Sequence, residues 1–121
     1  MSEAIDCLFC KIISGAIPSP RIYEDADFIC ISDIRPQSKH HYLVLPKKHV
    51  SSLDQAFPES GESQALLVGK LFETATRIAR EKKLLPGGFR AVINTGQDGG
   101  QTVFHLHLHI LGGEALGGEF A

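Results

Sequence analysis

The sequence has no hydrophobic run long enough to cross a membrane, and it carries no surplus of positive charge. No stretch of its 121 residues approaches the roughly 18 consecutive apolar residues that a spanning helix needs. Its formal net charge is −2, whereas proteins that bind nucleic acid through its phosphates generally present a basic surface. We therefore expect neither a membrane nor a nucleic acid as a partner.

Cysteine is also scarce, and tryptophan is absent. The three cysteines are an odd number, which argues against a disulfide framework. The acidic residues 1–6 lack the basic and apolar regions of a signal peptide, so we expect a protein of the reducing cytoplasm. With 43% apolar and 21% charged residues, the chain should form one domain, residues 1–121, with its own core.

The hydrophobic pattern predicts short strands around one long helix. Strands are predicted over residues 22–24, 28–32, 41–45, 89–93 and 102–111. Residues 58–83 carry apolar positions at helical spacing, and residues 7–14 read as a short helix or turn that stops at Gly15. The apolar face of the long helix comprises Leu67, Val68, Leu71, Phe72, Ala75, Ile78 and Ala79. This combination predicts an α+β domain with an antiparallel sheet.

The last predicted strand contains three histidines at alternate positions, His105, His107 and His109. Successive side chains of a strand point to opposite faces, so the three imidazoles should share one open face. The other face should pack on the long helix through Phe104, Leu106, Leu108 and Ile110. A solvent-exposed strand face more often uses Thr, Lys or Glu, so this pattern indicates a functional site.

A glycine-rich loop, residues 94–101, precedes the histidines. Glycines let backbone N–H groups face an anion, so the loop predicts a phosphate site. A neutral imidazole is nucleophilic near pH 7 and can hold a phosphoryl group covalently until water releases it. A second, protonated imidazole would stabilise negative charge on the phosphate oxygens. The hydroxyl of Thr102 is placed to relay a proton to the leaving group.

Residues 101–113, Gln-Thr-Val-Phe-His-Leu-His-Leu-His-Ile-Leu-Gly-Gly, resemble the signature of the histidine triad (HIT) family. The resemblance extends, in order, to residues 9–13, 33–37, 41–49 and 94–100, and is nearest to the nucleotide-binding (Hint) branch. It implies a HIT-like fold, with about five antiparallel strands, one long and one or two short helices, and a sheet continued across a homodimer. It also implies hydrolysis of purine nucleoside 5′-phosphoramidates, conjugates of AMP or GMP, through a nucleotidyl-histidine intermediate without a required cofactor.

The resemblance implies roles for particular residues. His107 matches the family's nucleophile, His109 a phosphate contact, His105 a residue that positions the nucleophile, and His41 a hydrogen-bonding support. Thr102 matches a hydroxyl residue near the ester oxygen. The matching substrate contacts are Leu8, Phe9, Ile12, Ile31 and Ile34 for the base, Asp33 for the ribose, and Asn94, Gly100, Thr102, His107 and His109 for the phosphate. Without the resemblance, Asp33 would be interpreted as a solvated or capping carboxylate, and Phe9 and Ile12 would be interpreted as core residues.

Cys7 and Cys10 form a Cys-x-x-Cys pair. Some family members, especially bacterial ones, bind structural zinc through two such cysteines and two distant histidines, and the matching histidines are His49 and His105. Two thiolates and two imidazoles suit a closed tetrahedral site. The alternative is a pair of partly buried free thiols. Cys30 is expected in the core.

Two other functions remain compatible with these residues. His105, His107 and His109 could bind a catalytic zinc in a metal-dependent hydrolase, or the pocket could belong to a nucleotide-binding regulatory module with little turnover. Every residue type that nucleophilic catalysis needs is present, which favours the enzyme. Residues 114–121 lack the tryptophan-containing tail of animal members of the branch, which leaves the preferred leaving group open.

Overall fold

The computed structural model describes residues 6–118. Residues 1–5 and 119–121, which belong to the acidic N-terminal segment and the tail discussed above, lie outside that range. The strands are β1 Tyr23–Glu24, β2 Phe28–Ser32, β3 His40–Pro46, β4 Phe89–Val92 and β5 Leu108–Gly112, and the helices are α1 Leu8–Ser14, α2 Leu53–Ala56 and α3 Ala65–Glu81. All neighbouring strands are antiparallel in the order β1-β2-β3-β5-β4. The predicted α+β class with a five-stranded sheet is confirmed.

The sheet has a core on each of its faces because the residues of β2 and β3 alternate. The larger cluster joins Phe28, Cys30, Tyr42, Val44, Leu106, Leu108 and Ile110 to Val68, Leu71, Ala75 and Ile78 of α3. The second joins Ile29, Ile31, Leu43 and Leu45 to Cys7, Phe9 and Ile12 at α1. Cys30 is fully buried, as predicted, and its burial raises the pKa of the thiol to about 12. The short helix α1 therefore covers the sheet face opposite α3.

The hairpin between β1 and β2 turns at Asp25, as the polar residues 25–27 predict. The Asp25 carboxylate accepts the backbone N–H groups of Asp27 and Phe28, each at 2.8 Å. An Asp side chain that bonds to the backbone two residues on is a standard way to close a turn. This turn brings β1 alongside β2.

The long helix is shorter than predicted, Ala65–Glu81 rather than residues 58–83. Gly61 adopts a φ of +106°, a conformation outside the helical region, so residues 57–64 form a loop. Its last residue, Gln64, donates its backbone N–H to Ala56. Phe72 also departs from the prediction, because it is 44% exposed and does not belong to the core packed between α3 and the sheet.

The last strand is shorter too, Leu108–Gly112 rather than residues 102–111. The strand starts late because its partners do not reach further upstream: pairing with β3 begins at Leu108 and pairing with β4 begins at His109. Upstream, the backbone N–H of Leu106 donates to the carbonyl of Val50 at 2.7 Å. Leu106, Leu108 and Ile110 pack against α3 as expected, but Phe104 is 51% exposed. No described helix is long and apolar enough to span a membrane.

Candidate active site

All the residues predicted to contact substrate line one cavity of about 420 Å³. They are Leu8, Phe9, Ile12, Ile31, Asp33, Ile34, Asn94, Gly100, Thr102, His107 and His109. Six further lining residues were not predicted: Ile17, Pro18, Ser19, Ser32, Leu43 and Val103. The first three follow α1, which ends where Gly15 takes a left-handed conformation (φ +89°) and the chain reverses direction.

The histidine segment is covered, whereas an open face was predicted. His105 is fully buried and His107 is only 6% exposed. The reason is α1, whose Phe9 ring lies edge-on to both imidazoles, with centroid distances of 6.0 Å to His105 and 5.1 Å to His107. Only His107 and His109, whose ring centroids are 5.0 Å apart, line the cavity. His105 faces away from it, towards the two N-terminal cysteines.

A backbone carbonyl fixes the proton on His107. Its Nδ1 lies 2.7 Å from the carbonyl oxygen of His105, and a carbonyl can only accept, so Nδ1 carries the hydrogen. In the neutral ring, Nε2 then keeps its lone pair. Burial lowers the pKa of His107, which keeps the ring neutral at pH 7. Nε2 of His107 is therefore a free nucleophile.

A second chain of hydrogen bonds fixes the proton on His109. The backbone N–H of Gln37 donates to Nδ1 of His41 at 3.0 Å, so the hydrogen of neutral His41 is on Nε2. That nitrogen lies 2.9 Å from Nδ1 of His109, which must accept, and neutral His109 therefore carries its hydrogen on Nε2. The result is an N–H donor on a ring that lines the cavity. The sequence gives no sign that Gln37 contributes through its backbone.

His109 donates as a neutral ring, whereas a protonated second imidazole was predicted. Burial, together with the neighbouring His107 and His41, lowers the pKa of His109 to about 4. Burial also lowers the pKa of His41, although Asp33 opposes the shift. Both imidazoles are therefore uncharged at pH 7. An N–H that points at a phosphate oxygen still stabilises the charge on it.

Asp33 both closes a turn and lines the cavity. Its Oδ1 accepts the backbone N–H of Arg35 at 2.8 Å, the capping role expected of a loop carboxylate. Its Oδ2 lies 3.4 Å from Nε2 of His41. The carboxylate is thus held in place beside the imidazoles, with acceptor capacity left for a ligand hydroxyl.

Gln101 organises the glycine loop, a role that the sequence did not reveal. Its side chain is 5% exposed. Its Oε1 accepts the N–H of Gly96 at 2.9 Å, and its Nε2 donates to the carbonyls of Ser51 at 2.7 Å and Val103 at 3.1 Å. A buried amide with its partners satisfied favours one conformation. The loop also needs glycine at Gly99, where a Cβ would lie 2.3 Å from a backbone oxygen.

The four predicted metal ligands form one cluster. Nδ1 of His105 lies 3.4 Å from Sγ of Cys7 and 3.5 Å from Sγ of Cys10, and Nδ1 of His49 lies 3.3 Å from both Sγ of Cys10 and Nδ1 of His105. Around tetrahedral zinc, with Zn–N of about 2.0 Å and Zn–S of about 2.3 Å, the ligand separations are about 3.3 Å for N···N and about 3.5 Å for S···N. The donor set fits zinc.

The orientation of His105 also suits a metal ligand. Its Nε2 donates to the carbonyl of Pro46 at 2.8 Å, which leaves Nδ1 unprotonated and facing the thiols. Ligating histidines usually donate their second N–H in this way. Burial and the neighbouring Cys7 raise the pKa of the Cys10 thiol to about 11, so a Cys10 thiolate would need a cation beside it.

The three alternating histidines do not form a common metal centre. Nδ1 of His105 faces the cysteines, and Nδ1 of His107 bonds to a carbonyl. Asp33, His41 and His109 bring their ligand atoms within 4.8 Å of one another. However, a metal on Nε2 of His41 would require the hydrogen on Nδ1, directly against the N–H of Gln37. The geometry therefore favours hydrogen bonding here.

Comparisons with known proteins agree with the fold and the histidine segment. Residues 6–118 match the family model described as scavenger mRNA decapping enzyme C-term binding. The chain is 44% identical to protein HitA of Neisseria gonorrhoeae over 107 residues, 88% of this chain and 95% of that protein. The fold is an antiparallel sheet with a core on each face, and alternating histidines lead into its last strand. Together these features define a histidine triad protein.

Two solved structures extend the comparison. A HIT family hydrolase from Legionella pneumophila has a TM-score of 0.86 at 36% identity, covering 93% of this chain and 97% of that one. A Zn-bound histidine triad family protein from Mycobacterium smegmatis has a TM-score of 0.74 at 39% identity, covering 90% and 76%. The chain belongs to the histidine triad family.

Proposed function

We propose that the protein is a purine nucleoside phosphoramidate hydrolase that acts through a nucleotidyl-histidine intermediate. The observation that carries this proposal is the pair of fixed tautomers: His107 offers a lone pair at Nε2, and His109 offers an N–H at its own Nε2. Both rings line a cavity that also contains Gly100 of the glycine loop. The similar structure from Legionella pneumophila is described as a hydrolase, which supports the same class of reaction.

In the first half of the reaction, the lone pair of His107 Nε2 attacks phosphorus and the P–N bond breaks. The electrons of that bond leave with the nitrogen. Thr102 gives its hydroxyl proton to this nitrogen, so the amine departs neutral, and Thr102 takes another proton from water. The N–H of His109 stabilises the charge on the phosphate oxygens. The carbonyl of His105 stabilises the positive charge that His107 acquires, through the Nδ1–H that it accepts.

In the second half, a water molecule attacks phosphorus and the bond to His107 Nε2 breaks. The nucleoside monophosphate leaves, the neutral imidazole is restored, and the water's surplus proton returns to solvent. This release balances the proton that Thr102 took from water in the first half. No step requires a metal ion or an organic cofactor.

The cavity fits the nucleoside part of such a substrate. Its apolar wall is formed by side chains of α1 and β2 and by Ile34, which is 93% exposed and free to pack on a flat base. Asp33 provides an acceptor for ribose hydroxyls. An apolar slot for the base with a few fixed polar groups is the usual form of a small-molecule site.

We also propose that Cys7, Cys10, His49 and His105 hold a structural zinc ion. Their separations and the orientation of His105 support it. When bound, zinc would join α1 to the catalytic segment, since Cys7 caps the N-terminus of that helix and its Sγ accepts the backbone N–H of Cys10. We propose a cytoplasmic location as well, because thiols remain reduced in the cytoplasm.

A homodimer is the assembly that we propose. Among the described strands, β4 pairs only with β5, so one of its edges is free to continue the sheet into a second copy. On α3, Leu66 is 74% and Phe72 44% exposed. Light scattering should give twice the 13.2 kDa mass of one chain, and Leu66→Glu with Phe72→Glu should lower it. A single-chain mass at micromolar concentration would contradict the proposal.

The second candidate is a nucleotide-binding module with little turnover, since the same cavity would serve recognition alone. The experiment that separates the two is a substrate panel on metal-stripped protein, comparing adenosine and guanosine phosphoramidates with acyl adenylates and dinucleoside polyphosphates. We expect multiple turnovers of the phosphoramidates, at the highest kcat/KM of the panel. Tight nucleotide binding without turnover of any compound would favour the module.

A further inference from the structure

One wall of the nucleotide cavity is a single segment of chain, and an arginine outside the cavity holds it. The segment contributes Leu8, Phe9, Ile12, Ile17, Pro18 and Ser19 to the lining. Arg21 is not a lining residue, but its Nη2 donates to the carbonyl oxygens of Ile12 at 2.8 Å and Ile13 at 3.2 Å. We propose that Arg21 is a positioning residue for the nucleobase, which it serves by fixing this wall. The proposal rests on the phosphoramidate hydrolase function and names a residue that sets its affinity for the base.

The helix α1 needs an anchor at its C-terminus because it is short. It has seven residues, and helices of fewer than about 12 residues are marginal by themselves. The last four carbonyls of a helix have no partner within it, and a positive charge is favourable at that end. Arg21 supplies hydrogen-bond donors to two of these carbonyls as well as the charge. It therefore stabilises the last turn of α1, at the opposite end from the Cys7 cap.

Arg21 is itself tied to the sheet. Its Nη1 lies 3.4 Å from Oε2 of Glu24, the last residue of β1. The same oxygen lies 2.9 Å from Nζ of Lys47, which directly follows β3. These ion pairs are partly exposed, so they contribute little free energy, but they orient the guanidinium towards α1. The end of the helix is thus held at a fixed place relative to the strands.

The groups that act on phosphorus do not depend on this anchor. His107 is oriented by the carbonyl of His105 at 2.7 Å, and His109 by His41 at 2.9 Å. Neither contact passes through the last turn of α1. A looser turn would displace Ile12 and the lining residues that follow the helix, which form the apolar slot for the base. Loss of Arg21 should therefore weaken binding of the base and spare the chemical step.

The test measures KM and kcat for adenosine phosphoramidate in wild type, Arg21→Met and Arg21→Lys. Arg21→Met keeps much of the side-chain length but removes the donors and the charge. We expect KM to rise about tenfold, the size of one lost charge-assisted hydrogen bond at a partly exposed site, and kcat to stay within about threefold of wild type. Arg21→Lys keeps a charge and donors, so its KM should lie between the other two.

Arg77→Met is the matched control. Arg77 also donates through its guanidinium, to the hydroxyl of Tyr23 at 3.1 Å, but it lies on α3 and does not line the cavity. This variant should keep the wild-type KM. Amide hydrogen exchange in residues 8–19 should become faster in Arg21→Met and remain unchanged in Arg77→Met.

Binding of AMP and of ribose 5-phosphate, which lacks the base, separates a local effect from a general one. Arg21→Met should weaken AMP by about tenfold and ribose 5-phosphate by less than about twofold, because the wall contacts only the base. An unchanged KM, or equal losses for the two ligands, would overturn the role of Arg21. A wild type that binds AMP without turnover would overturn the hydrolase, and the two affinities would still decide the role of Arg21. A wild type that binds no AMP would overturn both.

Discussion

Replacing His107 by alanine should abolish phosphoramidate turnover, with a loss of at least about a thousandfold in kcat. The change removes the only imidazole of the described cavity whose Nε2 is left with a free lone pair. Loss of covalent catalysis commonly costs several powers of ten. Adenosine phosphoramidate hydrolysis measures the loss, and AMP binding by calorimetry should change little, because the base and ribose contacts remain.

The matched control is His40→Ala. His40 directly precedes His41 on β3, but its ring packs on Tyr42 and Gly113 rather than in the cavity. This variant should keep wild-type turnover to within a few-fold. If His107→Ala retained more than about a tenth of wild-type activity, the nucleophile assignment would be wrong.

Replacing Cys7 and Cys10 together by serine should remove zinc and lower the melting temperature by more than about 10 °C. Structural zinc sites supply a large share of a small domain's stability, and a loss of several kcal/mol shifts the melting temperature of a domain of this size by this order. Elemental analysis should fall from about one zinc per chain to none.

Cys30→Ala is the control for thiol content. Cys30 lies in the core on the other face of the sheet, so the variant should keep its zinc and lose only packing energy. A wild-type protein that contains no zinc after expression in zinc-supplemented medium would contradict the structural site. Full hydrolysis in excess chelator would count against a catalytic metal only.

Much of the fold follows from local pattern, and the errors occur where partners far along the chain decide. The turn at Asp25 and the apolar period of α3 are local features, and both were predictable. The start of β5 was not, because it depends on where its pairing with β3 and β4 begins. Strand alternation alone therefore predicted that His105 lies on an open face. In the structure it is buried against Cys7 and Cys10, which are nearly a hundred residues earlier in the sequence.

The candidate site shows the same division. The histidines and the glycine loop are recognisable from residue type and spacing, and the resemblance added the residues around the base. Phe9 and Ile12 prove to be both core and lining residues, so the two interpretations of them were compatible. The protons on His107 and His109 depend on a carbonyl and on the backbone N–H of Gln37, and no residue type encodes such contacts.

The most direct test is to trap the intermediate. Wild-type protein mixed with adenosine phosphoramidate and quenched within milliseconds in base should carry one adenylyl group, which peptide mass spectrometry should locate on His107. Adenylyl label on another residue, or rapid burst kinetics with no labelled protein at all, would show that this imidazole is not the group that attacks phosphorus.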